Sequence, residues 1–169
     1  MRRIKVAYIR FVRQGSVRQS ILNQAKKEGN IIYGAQSIKK QIGIFSRRTE
    51  DYDIFSKKPK RSARTTEKNL DSLYGYDAFY TKPAMHPGTW KVMDKGLDEK
   101  KNTEDDFGVV DYTNMPKPKP KSRNYGGVSY RDLSLEKKAK LKSIRDPEFS
   151  FRHKKDKEDL ARINIASGK

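Results

Sequence analysis

Asp51 and Asp53 stand two residues apart in the run Asp51-Tyr52-Asp53-Ile54-Phe55, and a third acid, Asp111, interrupts Val109-Val110-Asp111-Tyr112. Apolar and aromatic neighbours of this kind favour strands, where side chains alternate with a period of two. Asp51 and Asp53 therefore project from one face. Two carboxylates side by side repel each other unless a cation lies between them. A hard divalent cation such as Mg²⁺, with Mn²⁺ as a substitute, takes oxygen ligands and commonly holds triphosphates through one or two carboxylates. Asp111 lies in a strand of buried type, where a lone carboxylate is expensive, and the same metal is an economical partner for it. Upstream, Ile31-Ile32-Tyr33-Gly34 reads as a short strand running through glycine into a helix, whose N-terminal amides would face an anion. Taken singly, an Asp-x-Asp pair is more often a solvated strand or turn pair, and Asp111 a strand-terminal acid facing water. Their order along the chain is what points to a site.

The elements that must position these residues follow from periodicity and breakers. Residues 3–12 alternate loosely and predict an edge strand or an arm. Ser16 is a candidate N-cap for a helix over 17–28, with Val17, Ile21, Leu22 and Ala25 on one face and Gly29 as its stop. A strand over 31–33, a helix over 35–44 striped by Ile38 and Ile42, and the two-acid strand over 51–56 come next. Pro59 opens a helix reaching Leu73, which Gly75 ends. Two strands, 78–82 and 89–93, are joined by turn chemistry at His86-Pro87-Gly88. Residues 97–106 read as a surface loop, and 107–112 as the one-acid strand. The alternation of Pro and Lys in Met115–Asn124 favours an extended, polyproline-like stretch. A strand over 128–133, a helix from a Ser134 cap to Ile144, and a charged helix over 153–163 close the chain. The expected fold class is α+β, a small mixed sheet flanked by helices, with basic C-terminal helices. The expected organisation is an N-terminal arm and helix (1–29), a core (30–114), a Lys/Pro-rich linker (115–126), and a C-terminal strand and helices packed on the core (127–169).

Charge narrows the partners. The 169 residues carry 39 Lys+Arg against 21 Asp+Glu, a formal net charge of +18. Such a balance implies a polyanion: nucleic acid, nucleotide phosphates or an anionic assembly. The bases cluster at Lys57-Lys58, Lys60-Arg61 and 117–123. With no cysteine, disulfides, zinc ribbons and thiol chemistry are excluded. No apolar run approaches the roughly 20 residues of a membrane span. Arg10 and Arg13 interrupt the apolar start too soon for a signal peptide, so the expectation is an intracellular, cytoplasmic protein without a membrane partner, or a virus-associated one.

The strand–glycine–helix–Asp-x-Asp order, with a third acid on a later strand, resembles the signature of the DNA polymerase β-like nucleotidyltransferases. That resemblance covers about residues 31–163. It implies that Asp51, Asp53 and Asp111 are catalytic and bind Mg²⁺, and that Asp111 helps the acceptor hydroxyl lose its proton. It also implies that Gly34 and the amides around Ala35 and Gln36 cradle the phosphates. The family commonly has serine after the glycine. Here Ala35 occupies that place, so either Gln36 or Ser37 substitutes or nucleotide binding is weaker. The longer spacing between Gly34 and Asp51 brings in Arg47 and Arg48, which either contact phosphates or are solvated. The C-terminal run Arg152-His153-Lys154-Lys155-Asp156-Lys157-Glu158-Asp159 resembles the tail of minimal bacterial and archaeal members, which include antitoxin-type proteins. By that similarity Lys155, Asp156 and Asp159 would sit near the site, and Lys138 or Lys142 would approach the phosphates.

These readings predict transfer of a nucleoside monophosphate from an NTP to a hydroxyl, on an RNA end or a protein. The alternative is a weak or inactive protein of that fold, serving as a basic nucleic-acid-binding or assembly protein. A toxin-neutralising protein modifier is a third possibility.

Overall fold

One helix, α1 (Arg2–Glu28), occupies the whole N-terminal region, and Gly29 ends it in the left-handed conformation. The arm expected over 3–12 and the cap expected at Ser16 are both replaced by continuous helix. Ile4, Tyr8 and Phe11 recur at helical spacing as readily as neighbouring residues alternate, and Gly15 inside a helix costs only about 1 kcal/mol. The computed structural model describes residues 2–47 and 49–168, with side chains from residue 14 onward.

After α1 come β1 (Ile31–Tyr33), α2 (Gly34–Ile42), a 3₁₀ turn (Gly43–Phe45), β2 (Tyr52–Ser56) and α3 (Pro59–Tyr74), which Gly75 closes with a positive φ. The hairpin β3 (Phe79–Pro83) and β4 (Thr89–Asp94) leads to β5 (Phe107–Asn114). A second hairpin joins β6 (Ser122–Tyr125) to β7 (Val128–Arg131). It lies partly in the stretch read as a linker: residues 115–121 are irregular and bend at Lys117-Pro118, whose peptide is cis, instead of running as one extended stretch, and Ser122–Tyr125 finds a partner strand across the Gly126-Gly127 turn. The chain ends in α4 (Leu133–Arg145), a 3₁₀ segment (Pro147–Arg152) and α5 (His153–Ala166). The cap of α4 is Asp132 rather than Ser134. Its side chain accepts from the Ser134 amide and hydroxyl, and these bonds, with Arg123 beside it, hold its pKa at about 2.

The fold is α+β: among the described residues, a mixed seven-stranded sheet, ordered β3-β4-β5-β2-β1-β7-β6, with five α-helices around it. The two central acid-bearing strands, β2 and β5, pair in parallel, while β1 pairs antiparallel with β2. One sheet face carries Ile32, Ile54, Val92, Val110, Tyr112 and Tyr130, all buried, and packs with Ile21 and Ala25 of α1 and Ala63 and Leu70 of α3. A smaller apolar cluster, Ile38, Ile42 and Ile163, joins α2 to α5. Among the described residues no helix is long and apolar enough to cross a membrane.

Candidate active site

Because β2 and β5 run parallel and in register, Asp53 lies directly beside Asp111, and Lys91 of β4 is the next partner across. The alternation that sends Ile54, Val110 and Tyr112 into the core sends these three to the opposite face. Asp51 precedes β2 by one residue, is exposed, and accepts from the Thr49 hydroxyl at 2.9 Å. Burial raises the Asp53 pKa, and the neighbouring Asp51 and Asp111 raise it further, to about 6, against the opposing pull of Arg152. Asp111 is drawn instead to Lys91, whose ammonium lies 3.1 Å from its carboxylate.

Asp51 and Asp111 are both near enough to act on the charge of Asp53. The three acids do not close into a cage. Among the described residues no three acidic, histidine or cysteine side chains are gathered tightly enough to enclose a metal ion. Asp51 is turned to Thr49 and Asp111 to Lys91. The donor chemistry still suits a hard cation held by one or two carboxylates together with phosphate oxygens, the way Mg²⁺ commonly binds in nucleotide sites.

Gly34 is required where it stands. Its φ is +67°, and a Cβ there would come within 2.6 Å of an Asp53 carboxylate oxygen. Its backbone N–H is already engaged, donating to Glu136 Oε1 at 2.8 Å. This corrects the expectation of a free amide at Gly34 awaiting phosphate. Neither neighbouring side chain offers a replacement hydroxyl. The buried Gln36 amide donates to the carbonyls of Thr49 and Asp51, and Ser37 Oγ donates to the Arg131 carbonyl at 2.7 Å. Ala35 contributes no polar side-chain atom. Any phosphate contact from Ala35, Gln36 or Ser37 would come from backbone amides. Arg48 lies outside the described residues.

Several residues at this site carry no local signal in the sequence. Glu136 is fully buried and accepts from Arg131 Nε at 2.9 Å and Nη2 at 2.5 Å. Burial raises its pKa, and Arg131, the Gly34 amide and Lys140 oppose that rise. Arg131 lies 5.3 and 5.7 Å from the ring centroids of Tyr33 and Phe55, which stack 3.9 Å apart. Tyr33 shares a hydrogen bond with Thr113, and its hydroxyl is pushed well above its ordinary pKa by burial and then by Asp53.

The C-terminal acids, expected near the site, are held in an ion network. Asp156 and Asp159 are buried, and both pair with Lys140, at 2.7 and 2.9 Å. Arg152 binds Asp156 and Arg47 binds Asp159. Lys140 is thus the inward lysine of α4, while Lys138, Lys142 and Lys155 are exposed. This network ties α4 and α5 to the loop before β2, and Arg152 carries its charge to Asp53.

No protein-family model matches the chain, and no curated protein matches it in sequence. Its fold matches solved structures. The Megavirus polyadenylate synthase superposes with a TM-score of 0.74 over 97% of this chain, at 17% identity. The Helicobacter pylori protein JHP933 superposes with a TM-score of 0.59 over 88% of this chain, at 12% identity. The chain spans 35% of the length of the former and 63% of the latter. At these identities the likeness is one of fold, and it is a fold shared with nucleotidyltransferases.

Proposed function

We propose that this chain is a nucleotidyltransferase of the DNA polymerase β-like superfamily, moving a nucleoside monophosphate from an NTP to a hydroxyl, with an RNA end as the favoured acceptor. The observation that carries the reading is the pairing of Asp53 with Asp111 on adjacent parallel strands, with Gly34 pressed against the Asp53 carboxylate. Glycine at that contact leaves room for the Asp53 carboxylate close against the turn into α2. A structural superposition on a polyadenylate synthase supports the same class.

Mg²⁺ or Mn²⁺ held by Asp51, Asp53 and the nucleotide phosphates, and by Asp111, would supply charge neutralisation for the entering and leaving oxygens. Asp111, oriented by Lys91, would position the acceptor hydroxyl and favour loss of its proton. The acceptor oxygen bonds to the α-phosphorus, the bond from that phosphorus to the bridging oxygen breaks, and pyrophosphate leaves. Arg131 and Arg152 offer positive charge to the phosphates from the α4–α5 side. The stacked Tyr33 and Phe55 form an apolar wall next to the acids.

A second reading has its own support. With Ala35 in place of serine and the Gly34 amide bound to Glu136, nucleotide affinity would be weak, which suits a protein of this fold with little or no activity. Incubation with each labelled NTP, Mg²⁺ and RNA tests the choice: label incorporated by the parent and absent with Asp53→Asn supports transfer. No incorporation, with no Mg²⁺-NTP shift of the melting midpoint, favours the second reading.

A further inference from the structure

A large cavity lies away from the acids. About 880 Å³ in volume, it runs between α1 and α3 and is edged by Lys27, Lys57, Lys58 and Arg61. A second cavity, about 730 Å³, continues on the other side of α3 past Arg64 and Lys68 to Trp90 and Asn114. The two share Lys58, Arg61 and Thr65, so together they make one trough crossing the start of α3. Both α1 and α3 pack on the apolar face of the sheet, opposite Asp53 and Asp111.

The charge of this trough is predominantly basic. Lys57, Lys58, Lys60, Arg61, Arg64 and Lys68 are exposed, and among the described residues none is paired with a carboxylate. Lys60, Arg64 and Lys68 follow one another at i, i+4 along α3, a like-charge ladder that an isolated helix resists. Two acids stand beside these bases: Glu28, which lines the trough and accepts from Ser62, Asn30 and Gln24, and Glu67 of α3, while Asp71 accepts the amides of Ala78 and Phe79. A row of unneutralised bases on a folded surface suits a row of phosphates.

An aromatic ring completes the surface. Trp90, half-buried, lines the trough, and its ring is covered by the Lys60 ammonium at 4.8 Å from the centroid. A flexible lysine over an indole face is easily displaced by a nucleobase. Basic grooves with an aromatic stacking platform bind single-stranded nucleic acid, the phosphates giving affinity and the ring a sequence-tolerant contact. We infer that the α1–α3 trough is a binding track for a single-stranded polynucleotide, with Lys58, Arg61 and Arg64 on the backbone and one base stacked on Trp90. The inference does not rest on the transfer chemistry, because the trough and the acids lie on opposite faces.

Trp90 is the only tryptophan in the chain, so its fluorescence reports directly on the trough. The test titrates the full chain with a 15-mer oligoadenylate, the matching DNA strand, a duplex of the same length, and inorganic polyphosphate. Quenching of Trp90 by a single strand is expected, with affinity falling steeply as salt rises. Arg61→Glu with Arg64→Glu should weaken binding at least tenfold by anisotropy, with an unchanged melting midpoint. Trp90→Phe should keep most of the affinity, and Trp90→Leu should lose roughly fivefold to a hundredfold. Both RNA and DNA binding support the track, and their ratio says whether the sugar is read. Unchanged affinity in the double charge reversal would overturn it, as would a preference for the duplex or equal quenching by polyphosphate. The Mg²⁺-NTP shift should persist in the double variant, and oligonucleotide affinity should persist in Asp53→Asn, so the two proposals fail separately.

Discussion

Ile54 and Asp53 are neighbours in β2, yet Ile54 is fully buried beneath α1 and α3 while Asp53 faces a second acid across the sheet. The same division runs across the strands: Ile32 against Tyr33, Val110 against Asp111, and Tyr130 against Arg131. One face is held by apolar contact and the other is laid out in charge. The covering layers differ in the same way. The α1–α3 layer meets the sheet through Ile21, Ala25, Ala63 and Leu70, whereas α4 and α5 are joined by Lys140 with Asp156 and Asp159. The separation teaches where stability and chemistry reside. Burial on one face can offset the repulsion stored on the other, and a one-residue slip of β2 would exchange the two.

The sharpest way to break this picture is to change the two neighbours one at a time. Asp53→Asn keeps the shape of the side chain and removes a repelling charge. Transfer should disappear, while the metal-free protein should melt at the same temperature as the parent or slightly higher. Ile54→Ala should cost about 2–5 kcal/mol, and the midpoint should fall by several degrees. Parallel labelled-NTP assays and melts separate these outcomes. Equal destabilisation by both variants would mean that Asp53 is a structural residue.

The ion-held layer is tested by Lys140→Met. Removing the shared cation leaves Asp156 and Asp159 buried with Arg152 and Arg47 as their remaining partners. Stripping one member from a buried ionic group typically costs about 3–5 kcal/mol. Urea unfolding should show that loss, and Lys140→Met with Asp156→Leu and Asp159→Leu should recover much of it. Failure of the single variant to destabilise would show that α4 and α5 are held by Ile38, Ile42 and Ile163 instead.

A smaller effect follows from pH. The folded pKa of Asp53 is raised to about 6 from the ordinary carboxylate range, so the folded chain binds the proton more tightly than the unfolded one. Through this group, stability is greatest at low pH, falls as pH climbs from about 4 through 6, and is then level. The difference in melting midpoint between Asp53→Asn and the parent should therefore widen across that window in metal-free buffer. A difference constant from pH 4.5 to 7.5 would remove the raised pKa from the account.

Much of this arrangement is legible in the sequence because it is local. The alternation around Asp53 and Asp111 announces both the strands and the face, and Gly34 marks the turn into α2. The parts that escape are those made by distant partners. Glu136 meets Gly34 across a separation of 102 residues, and no spacing near either one signals it. Lys140 is distinguished from Lys138 and Lys142 only by the phase in which α4 docks. β6 is hidden because proline and lysine ahead of it suggest an open linker, and its strand character depends on β7. Residues 3–12 satisfy two periodicities at once, and continuity with the rest of α1 decides between them.

The least effect is expected from Lys117, Lys119 and Lys121. The segment leaves β5 at Asn114, which lines the trough, and Met115 donates its amide to the Ser56 carbonyl, so it begins beside the basic surface of α3. Its three lysines are exposed. Exposed charges are screened within roughly 8–10 Å at ordinary salt, so their contribution to a bound strand should be smaller than that of Arg61 and Arg64. Reversing all three to glutamate should lower affinity for oligoadenylate a few-fold and flatten the salt dependence by up to about two units of slope. The melting midpoint should not move, because the structural bonds of this segment come from its backbone, such as the Lys121 carbonyl that accepts the Asp132 amide. An effect equal to that of Arg61→Glu with Arg64→Glu would extend the polynucleotide track beyond α3 along the Lys-Pro segment. No effect at all would make that segment a spacer between β5 and β6.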